Sequence, residues 1–537
     1  MNTRANANRR HALVLGGSLA GLLAARVLSD YFDRVTLLER DVYPDNSDVR
    51  KGIPQANHVH GLMLRGRQIL EELFPKLQDE MIAAGAPQID MANEVAWFTR
   101  PGWGVRFPSD LKVLAFMRPM LDLHVRRRLA QNPKIEIRDN MEVLRVLRGA
   151  ESNRLTGVLI SPRAAEADRR VAKQLDADLI VDATGRASRA PRWLEDLGYE
   201  PPQETSVNAH IGYASRLYRI PEHFDGDWSA AYVQSAPPER KRGGILFTVE
   251  GNRWLVTLIG GGHDFPPSDE QGFLEFAESL PVPIIADAIR AAEPIAPIRT
   301  HRATENRLRH FESAKELPEN FVVLGDAVCA FNPVYGQGMT IAAFGALTLR
   351  DCLREQQKLQ ANGSFGGFAR RFQRRLAKVN KAPWLLATGE DYRYRETEGG
   401  SPSVMTTFMH RYMNHVLQLT TRDVVVRRAL LRVFSMLEPP STLFRPRILW
   451  RVIREVIKPV REGTTMKIRT EITLEMDRTI VIKRRRRALS PTAGTSDLQE
   501  LADVLRLEQA AEPPAVEPAS VTPCHPWPLY SPQSKRS

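Results

Sequence analysis

The chain has 537 residues, of which 43% are hydrophobic and 26% charged, with a formal net charge of +12. This is ordinary for globular folding and leaves room for two or three domains, while three scattered cysteines (Cys329, Cys352, Cys524) exclude a disulfide framework and a cysteine-built zinc site. The positive excess is local, since residues 445–487 hold 14 Lys or Arg against 5 Asp or Glu, so it gives no ground for a nucleic-acid partner.

Arg4, Arg9 and Arg10 precede an apolar run, which is the outline of a secretory signal. Gly16, Gly17 and Ser18 interrupt that run, a helix follows it, and no apolar stretch of 18 residues occurs anywhere, so the expectation is a cytoplasmic chain without a spanning helix. HALVL (11–15) reads as a strand, LAGLLAARVLSD as a helix of small and apolar residues, and RVTLLER (34–40) as a second strand. Together they form a βαβ unit of about 30 residues. A polar loop covers 41–57, HGLMLRGRQILEELF has helical spacing, VAWFTRPGWGVRF (95–107) reads as a hairpin, and RPMLDLHVRRRLAQ (118–131) is an amphipathic helix. Residues 141–160 and 171–182 are β-rich. Between 205 and 303 the period shifts to strand alternation, broken by a helix at 268–280. FVVLGD (321–326) is a buried strand leading through a turn into the long helix GMTIAAFGALTLRDCLREQQ. Residues 404–460 are helical and basic, and from 488 a Pro-, Ala-, Glu- and Ser-rich tail lacks periodicity.

Two turns carry chemistry. In GGSLAG, Gly16 permits the tight turn, Gly21 allows close helix–strand packing, and Gly17 and Ser18 lie between them, with Ser18 where a dinucleotide fingerprint has its middle glycine. The helix start supplies free N–H groups to phosphates, and the Ser18 hydroxyl can add a donor. Glu39, 18 residues after Gly21 at the end of the second strand, is placed to hold ribose hydroxyls. A glycine turn without ligand is the plain alternative, but strand, helix, second strand and Glu39 together favour an adenine dinucleotide. Nearly 290 residues later, VVLGDAVCAFNPVYGQGM (322–339) ends a strand in Gly325-Asp326. A loop bearing Pro333 follows, and Gly336, Gln337, Gly338 and Met339 then open a helix. An aspartate there can accept bonds from a polyhydroxylated chain, and a glycine-flanked helix start can stabilise negative charge on a carbonyl edge. A nicotinamide needs neither, whereas a ribityl–isoalloxazine cofactor uses both.

GGSLAGL, Glu39, the Arg118 helix, DLIVDATGR and GDAVCAFNPVYGQGM, in that order over about residues 10–390, resemble the FAD-dependent aromatic-hydroxylase-like monooxygenases. RKGIPQANHVHGL (50–62) and GRASRAPRWLEDLGY (185–199) are similar to the bacterial branch that includes polyether-type polyene epoxidases. The resemblance implies an α/β (α+β) two-domain flavoprotein. Its Rossmann-like FAD domain would comprise 10–90, 110–200 and 305–395, and an antiparallel-sheet substrate domain 91–109 and 201–304. A basic helical region (396–487) and a disordered tail (488–537) follow. By position, Gly16, Gly17, Ser18, Gly21 and Glu39 would hold the ADP half of FAD and Arg118 the cofactor near its pyrophosphate. Asp326, Pro333, Gly336, Gln337, Gly338 and Met339 would hold the ribityl and flavin. The implied reaction is epoxidation or hydroxylation of a hydrophobic small molecule of secondary metabolism by molecular oxygen, through a flavin C4a-hydroperoxide. An FAD-dependent reductase of a lipid-like alkene and a flavoprotein-shaped binding protein without turnover are the alternatives.

One departure concerns electron supply. Where NADPH-binding relatives carry Asp-Gly, Asp182-Ala183-Thr184-Gly185-Arg186 has Thr184, so a partner flavin reductase competes with direct NAD(P)H. No nucleophile triad, G-x-S-x-G, H-E-x-x-H or halogenase W-x-W-x-I-P motif occurs, and no side chain is assigned a catalytic role. His58 and His60 without acidic company read as a loop-to-helix junction rather than a metal site. Cys329 reads as a small buried residue. Trp97, Trp103, Tyr213 and Tyr218 suit an apolar pocket and ordinary sheet packing equally. Lys483 to Arg487 reads as a solvated flank. The 404–460 helices read as a cap on the substrate mouth, with subunit pairing or peripheral membrane contact as alternatives.

Overall fold

The computed structural model describes residues 10–50, 52–149, 153–163, 172–359 and 364–457, and the short segments 472–475 and 479–482. Arg4, Arg9, the Lys483–Arg487 run, Cys524 and the tail from 488 lie outside the described residues.

A five-stranded, wholly parallel sheet runs in the order Phe321–Val323, Leu179–Asp182, His11–Leu15, Arg34–Leu38, Ile135–Arg138. Its central strands are nearly continuous apolar runs because both faces are covered, as parallel sheets require. The helix Leu19–Leu28 is rich in Ala and Gly, which lets it lie close against the long helix Gly338–Leu359, whose inner face is likewise small and apolar. Ile135–Arg138, which extends the sheet beyond Arg34–Leu38, is too short and too charged to stand out in the sequence.

The second sheet has eight strands, mostly antiparallel, ordered Glu293–Pro294, Gly212–Arg219, Arg253–Gly260, Arg242–Val249, Ala230–Val233, Val95–Thr99, Gly102–Trp103, with Arg299–His301 also paired to Gly212–Arg219. Alternation sorts its residues onto two faces. Leu246, Trp254, Val256 and Leu258 face one way, into a core closed by Phe273 and Phe276 of helix Glu270–Glu278 and by Ile285 and Ile289 of helix Ile284–Ala291. Burying each of these large side chains stabilises the fold by roughly 1.5–3 kcal/mol. Their strand neighbours Ile245, Phe247, Thr257 and Ile259 face the other way and line a cavity.

The helix Phe368–Asp391, not singled out by the sequence reading, packs beside Gly338–Leu359, and the helices Val404–Thr420, Val424–Phe434 and Pro446–Ile457 follow. The second compact unit begins at Ile457. Within it Ile472–Glu475 and Thr479–Ile482 pair as antiparallel strands, inside the 396–487 stretch expected as a basic helical region. The reason is local: ITLE and TIVI are short and rich in β-branched residues.

Candidate functional site

The strand His11–Leu15 ends at Gly16, whose φ of +95° few side chains tolerate and whose missing Cβ would stand 2.5 Å from the Ala183 carbonyl oxygen. Gly21 lies under the turn, where a Cβ would come within 1.8 Å of the Gly16 carbonyl oxygen. Ser18 between them has an ordinary extended backbone (φ −85°, ψ −179°), so no glycine is needed there. It occupies the N-cap of helix Leu19–Leu28, yet its hydroxyl makes no capping bond and instead takes a 3.3 Å bond from Nη2 of Arg118. The first-turn N–H groups of this helix therefore remain free for an anion.

Glu39 is buried behind this turn. One carboxylate oxygen accepts the Gly17 N–H at 2.7 Å and the other the Asp41 N–H at 2.9 Å, while the buried Arg50 guanidinium lies 3.2 Å away. The Tyr43 hydroxyl donates to the Gly17 carbonyl at 2.7 Å, and the guanidinium carbons of Arg50 and Arg126 lie over its ring, 4.6 and 4.5 Å from the centroid. Sequence inspection missed Tyr43, Arg50 and Arg126. The signal available was Arg50 itself, within RKGIPQANHVHGL.

The second turn comes from the strand Phe321–Val323. Gly325 (φ +64°) abuts the first helix so closely that a Cβ there would stand 2.8 Å from that of Ala20, which brings the two sequence-distant turns together. Asp326 is half-buried. Desolvation pushes its carboxyl up, and the guanidiniums of Arg186 and Arg118 pull it back. Asn332 caps the short turn Pro333–Tyr335 by accepting the Val334 N–H, and Gly336 (φ +63°) redirects the chain into helix Gly338–Leu359. Met339 is buried, and Gly338 faces open space, with nothing within 4 Å of where a Cβ would be. The buried Oε1 of Gln337 has no hydrogen-bond partner among the described residues. Arg118, at the start of helix Arg118–Ala130, is buried, bonds Asp122 at 3.0 Å, and acts on both Asp326 and His60 through its charge. The structure therefore brings the two turns against each other through Gly325 and Ala20, and joins Arg118 to the first turn at Ser18.

A largely apolar cavity lies against this second turn. Its walls are the sheet face bearing Ile245, Phe247 and Ile259, the segment His58 to Met63, the turn Pro333 to Gly336, and Phe434 of helix Val424–Phe434. Trp97 and Tyr213 line it. Trp103 is 41% exposed on the hairpin and Tyr218 sits in the core on the opposite sheet face, so those two do not. Phe434, from the helical region beyond 404, belongs to that lining.

His58 and His60 line the cavity. No group of three or more His, Cys, Asp or Glu residues suited to a metal occurs among the described residues. Burial holds His58 down to about 4. It holds His60, with the Arg118 charge opposing a second cation, down to about 3. Both imidazoles are neutral at pH 7. Since a carbonyl only accepts, the 2.8 Å contact of His60 Nδ1 with the His58 carbonyl puts the proton on Nδ1 and leaves Nε2 an acceptor. His58 Nδ1 lies 2.7 Å from the Ser215 hydroxyl.

Behind the turn lies Asp391, wholly buried at the end of helix Phe368–Asp391. It accepts the Tyr335 O–H and, at 2.7 Å, the Asn306 side-chain N–H. Asn306 in turn accepts the Asn332 N–H at 2.8 Å, and Tyr213 donates to the Asn332 side chain at 2.5 Å. Burial raises Asp391 to about 7. Asn332 and Tyr335 lie inside the recognised motif, but nothing in the sequence near Asp391 points to this network. Cys329 is a buried thiol in a short strand, as expected.

A parallel sheet with two glycine turns, a buried glutamate behind the first and an apolar cavity against the second defines a two-domain flavoprotein fold. The fold is that of the FAD-dependent aromatic-hydroxylase-like proteins, which embraces both monooxygenases and halogenases. The p-nitrophenol 4-monooxygenase PnpA from Pseudomonas putida DLL-E4 superposes with a TM-score of 0.57 at 16% identity, covering 80% of this chain and 98% of that one. The flavin-dependent brominase Bmp2 superposes with a TM-score of 0.57 at 13% identity, covering 79% and 93%. At such identities the likeness shows the fold. Protein Rv3254 of Mycobacterium tuberculosis (strain ATCC 25618 / H37Rv) is 30% identical over 470 residues, 86% of this chain and 98% of the relative, and the chain belongs to its family. No family model matches the chain.

Proposed function

We propose that this protein is an FAD-dependent monooxygenase that epoxidises or hydroxylates a hydrophobic, unsaturated or aromatic small molecule. The observation that carries this reading is the shared wall: Pro333 to Gly336, which lead into the helix start at Gly338, also line the apolar cavity. The residues fit FAD. The free helix start at Ser18 suits a pyrophosphate, Glu39 suits ribose hydroxyls, and the unpartnered Gln337 oxygen with open space at Gly338 suits a polar ring edge. Gly16, Gly17, Ser18, Gly21, Glu39 and Arg118 hold the ADP half, and Asp326, Pro333 and Gly336 to Met339 the flavin half. When bound, FAD supplies oxygen activation.

The rest is the work of this chain. The first-turn N–H groups and Arg118 neutralise phosphate charge. Ile245, Phe247, Ile259 and Phe434 exclude water and position the substrate. Neutral His58 and His60 give the cavity polar contacts without ionic charge. The segments 10–90, 110–200 and 305–395 form the cofactor domain in this reading, and 91–109 with 201–304 the substrate domain. Thr184 bonds back onto the buried Asp182 through both N–H (2.9 Å) and hydroxyl (2.6 Å), and the electrons come from NAD(P)H or from a partner flavin reductase in this reading. Among the described residues no helix is long and apolar enough to cross a membrane. We place the enzyme in the cytoplasm, with peripheral membrane contact through 404–460 as an option for a lipid-like substrate.

The test is product mass under labelled oxygen gas, with reduction by NADPH and separately by a flavin reductase. One labelled oxygen atom per product supports the reading. Reduction of an alkene without oxygen consumption points to the reductase, and protein that takes up no flavin points to a binding role.

A further inference from the structure

Arg427 lies on helix Val424–Phe434, with 0% of its surface exposed, and none of its three guanidinium nitrogens has a hydrogen-bond partner among the described residues. Its setting is specific. The guanidinium carbon lies 4.7 Å from the centre of the Trp97 ring, and the bare backbone of Gly104 makes room on another side, where a Cβ would stand 2.6 Å from it. The nearby carboxylates are engaged elsewhere: Asp110 faces Arg428 and Arg432, and Asp423 binds the Val425 and Val426 N–H groups and Arg451. A buried cation with no counter-charge is among the least favourable arrangements in a protein, and burial alone draws this arginine down to about 10.

The place of Arg427 links it to the cavity. Phe434, seven residues on, falls on the same face of the helix about 10 Å further along, and it meets the same Trp97 ring edge-on at 5.1 Å. Trp97 and Phe434 both line the cavity. Trp97 is therefore shared by the wall of the apolar cavity and the unpaired guanidinium, which does not itself line the cavity.

We propose that Arg427 is the anchor for the carboxylate of an amphiphilic ligand, whose apolar body fills the cavity. The planar guanidinium fork matches a carboxylate with two parallel bonds, and the low-dielectric surroundings strengthen the pair. The guanidinium is covered in this form, so on this proposal the acid must displace the Trp97 indole, whose Nε1 donates to the Gln234 side chain at 3.1 Å. This deepens the proposed function by making the substrate a hydrophobic carboxylic acid, and it rests on that reading only in taking the cavity as the substrate site.

Direct titration of the full-length protein tests the proposal without flavin or turnover. The probes are dodecanoate against dodecanol and 2-naphthoate against its methyl ester, at pH 7.5. Wild type is expected to bind the acids at least about tenfold more tightly than their neutral partners, and Arg427→Met to abolish that gap while retaining the neutral ligands. Equal affinity for acid and neutral partner in wild type overturns the proposal, and so does a preference for acids that survives in Arg427→Met, which would assign it to another cation such as Arg118. Should Arg427→Met fail to fold, Arg427→Lys, which keeps the charge and loses the fork, and the wild-type comparison decide. Absence of oxygenation with acid binding intact would sink the monooxygenase reading alone. Oxygenation of neutral substrates with no acid preference would sink this one alone.

Discussion

The Glu39 carboxylate and the Gly17 N–H are joined by a buried 2.7 Å hydrogen bond, so the residue proposed to hold a ribose also keeps the first glycine turn in shape. Arg50 shares that burial. Glu39→Ala should therefore act twice. It leaves the Arg50 charge unpaired, lowering stability by about 3 kcal/mol, and it lowers FAD retention. Denaturant midpoints and flavin absorbance after gel filtration check the two effects, and normal flavin content in a folded variant would refute the site.

Two glycines of the first turn should differ sharply in tolerance. A Cβ at Gly21 strikes the backbone oxygen of Gly16, which cannot move without opening the turn, so Gly21→Ala should cost about 3 kcal/mol. A Cβ at Gly17 strikes the hydroxyl end of the Tyr43 side chain, which can withdraw at the loss of one hydrogen bond, about 1 kcal/mol. Urea unfolding of the two variants should show that order.

Asp391 should make the protein more stable at mildly acid pH. Its folded value, raised to about 7, lies above the usual carboxylate range near 4. Between those values the unfolded chain releases the proton while the folded chain keeps it, so stability contributed here falls as pH rises from 4 to 7, by up to a few kcal/mol. In Asp391→Asn that slope should vanish. Thermal melts across this pH window, compared with wild type, decide the matter.

His58 and His60 work in the opposite sense. Both fold neutral, with values held down to about 4 and about 3, whereas the unfolded imidazole binds a proton below about 6.5. Stability contributed by the pair is complete above pH 6.5 and is lost as pH falls toward 4 and 3. Replacing both with Gln should flatten this acid limb and leave the Asp391 slope exposed. An unchanged acid limb would mean that the imidazoles are solvated.

Much of the cleft was legible in the chain because it depends on local backbone geometry. Gly16 and Gly336 take positive φ, and Glu39 sits at a strand end. The Ser18 substitution, which looks like a flaw in the motif, falls where the backbone is extended and any residue fits. The antiparallel sheet was legible from alternation, yet which face would meet the cavity was not. Trp97 and Tyr213 line it while Trp103 and Tyr218 do not, because facing depends on which layer covers each side.

By itself the sequence determined the two glycine turns and the parallel and antiparallel segments, since φ preference and periodicity are properties of neighbouring residues. Only the tertiary structure decided that Asp391 is buried beneath Tyr335 and that Arg427 stands unpaired against Trp97. Burial and pairing are set by residues tens to hundreds of positions away, and the chain brings those together only when it folds.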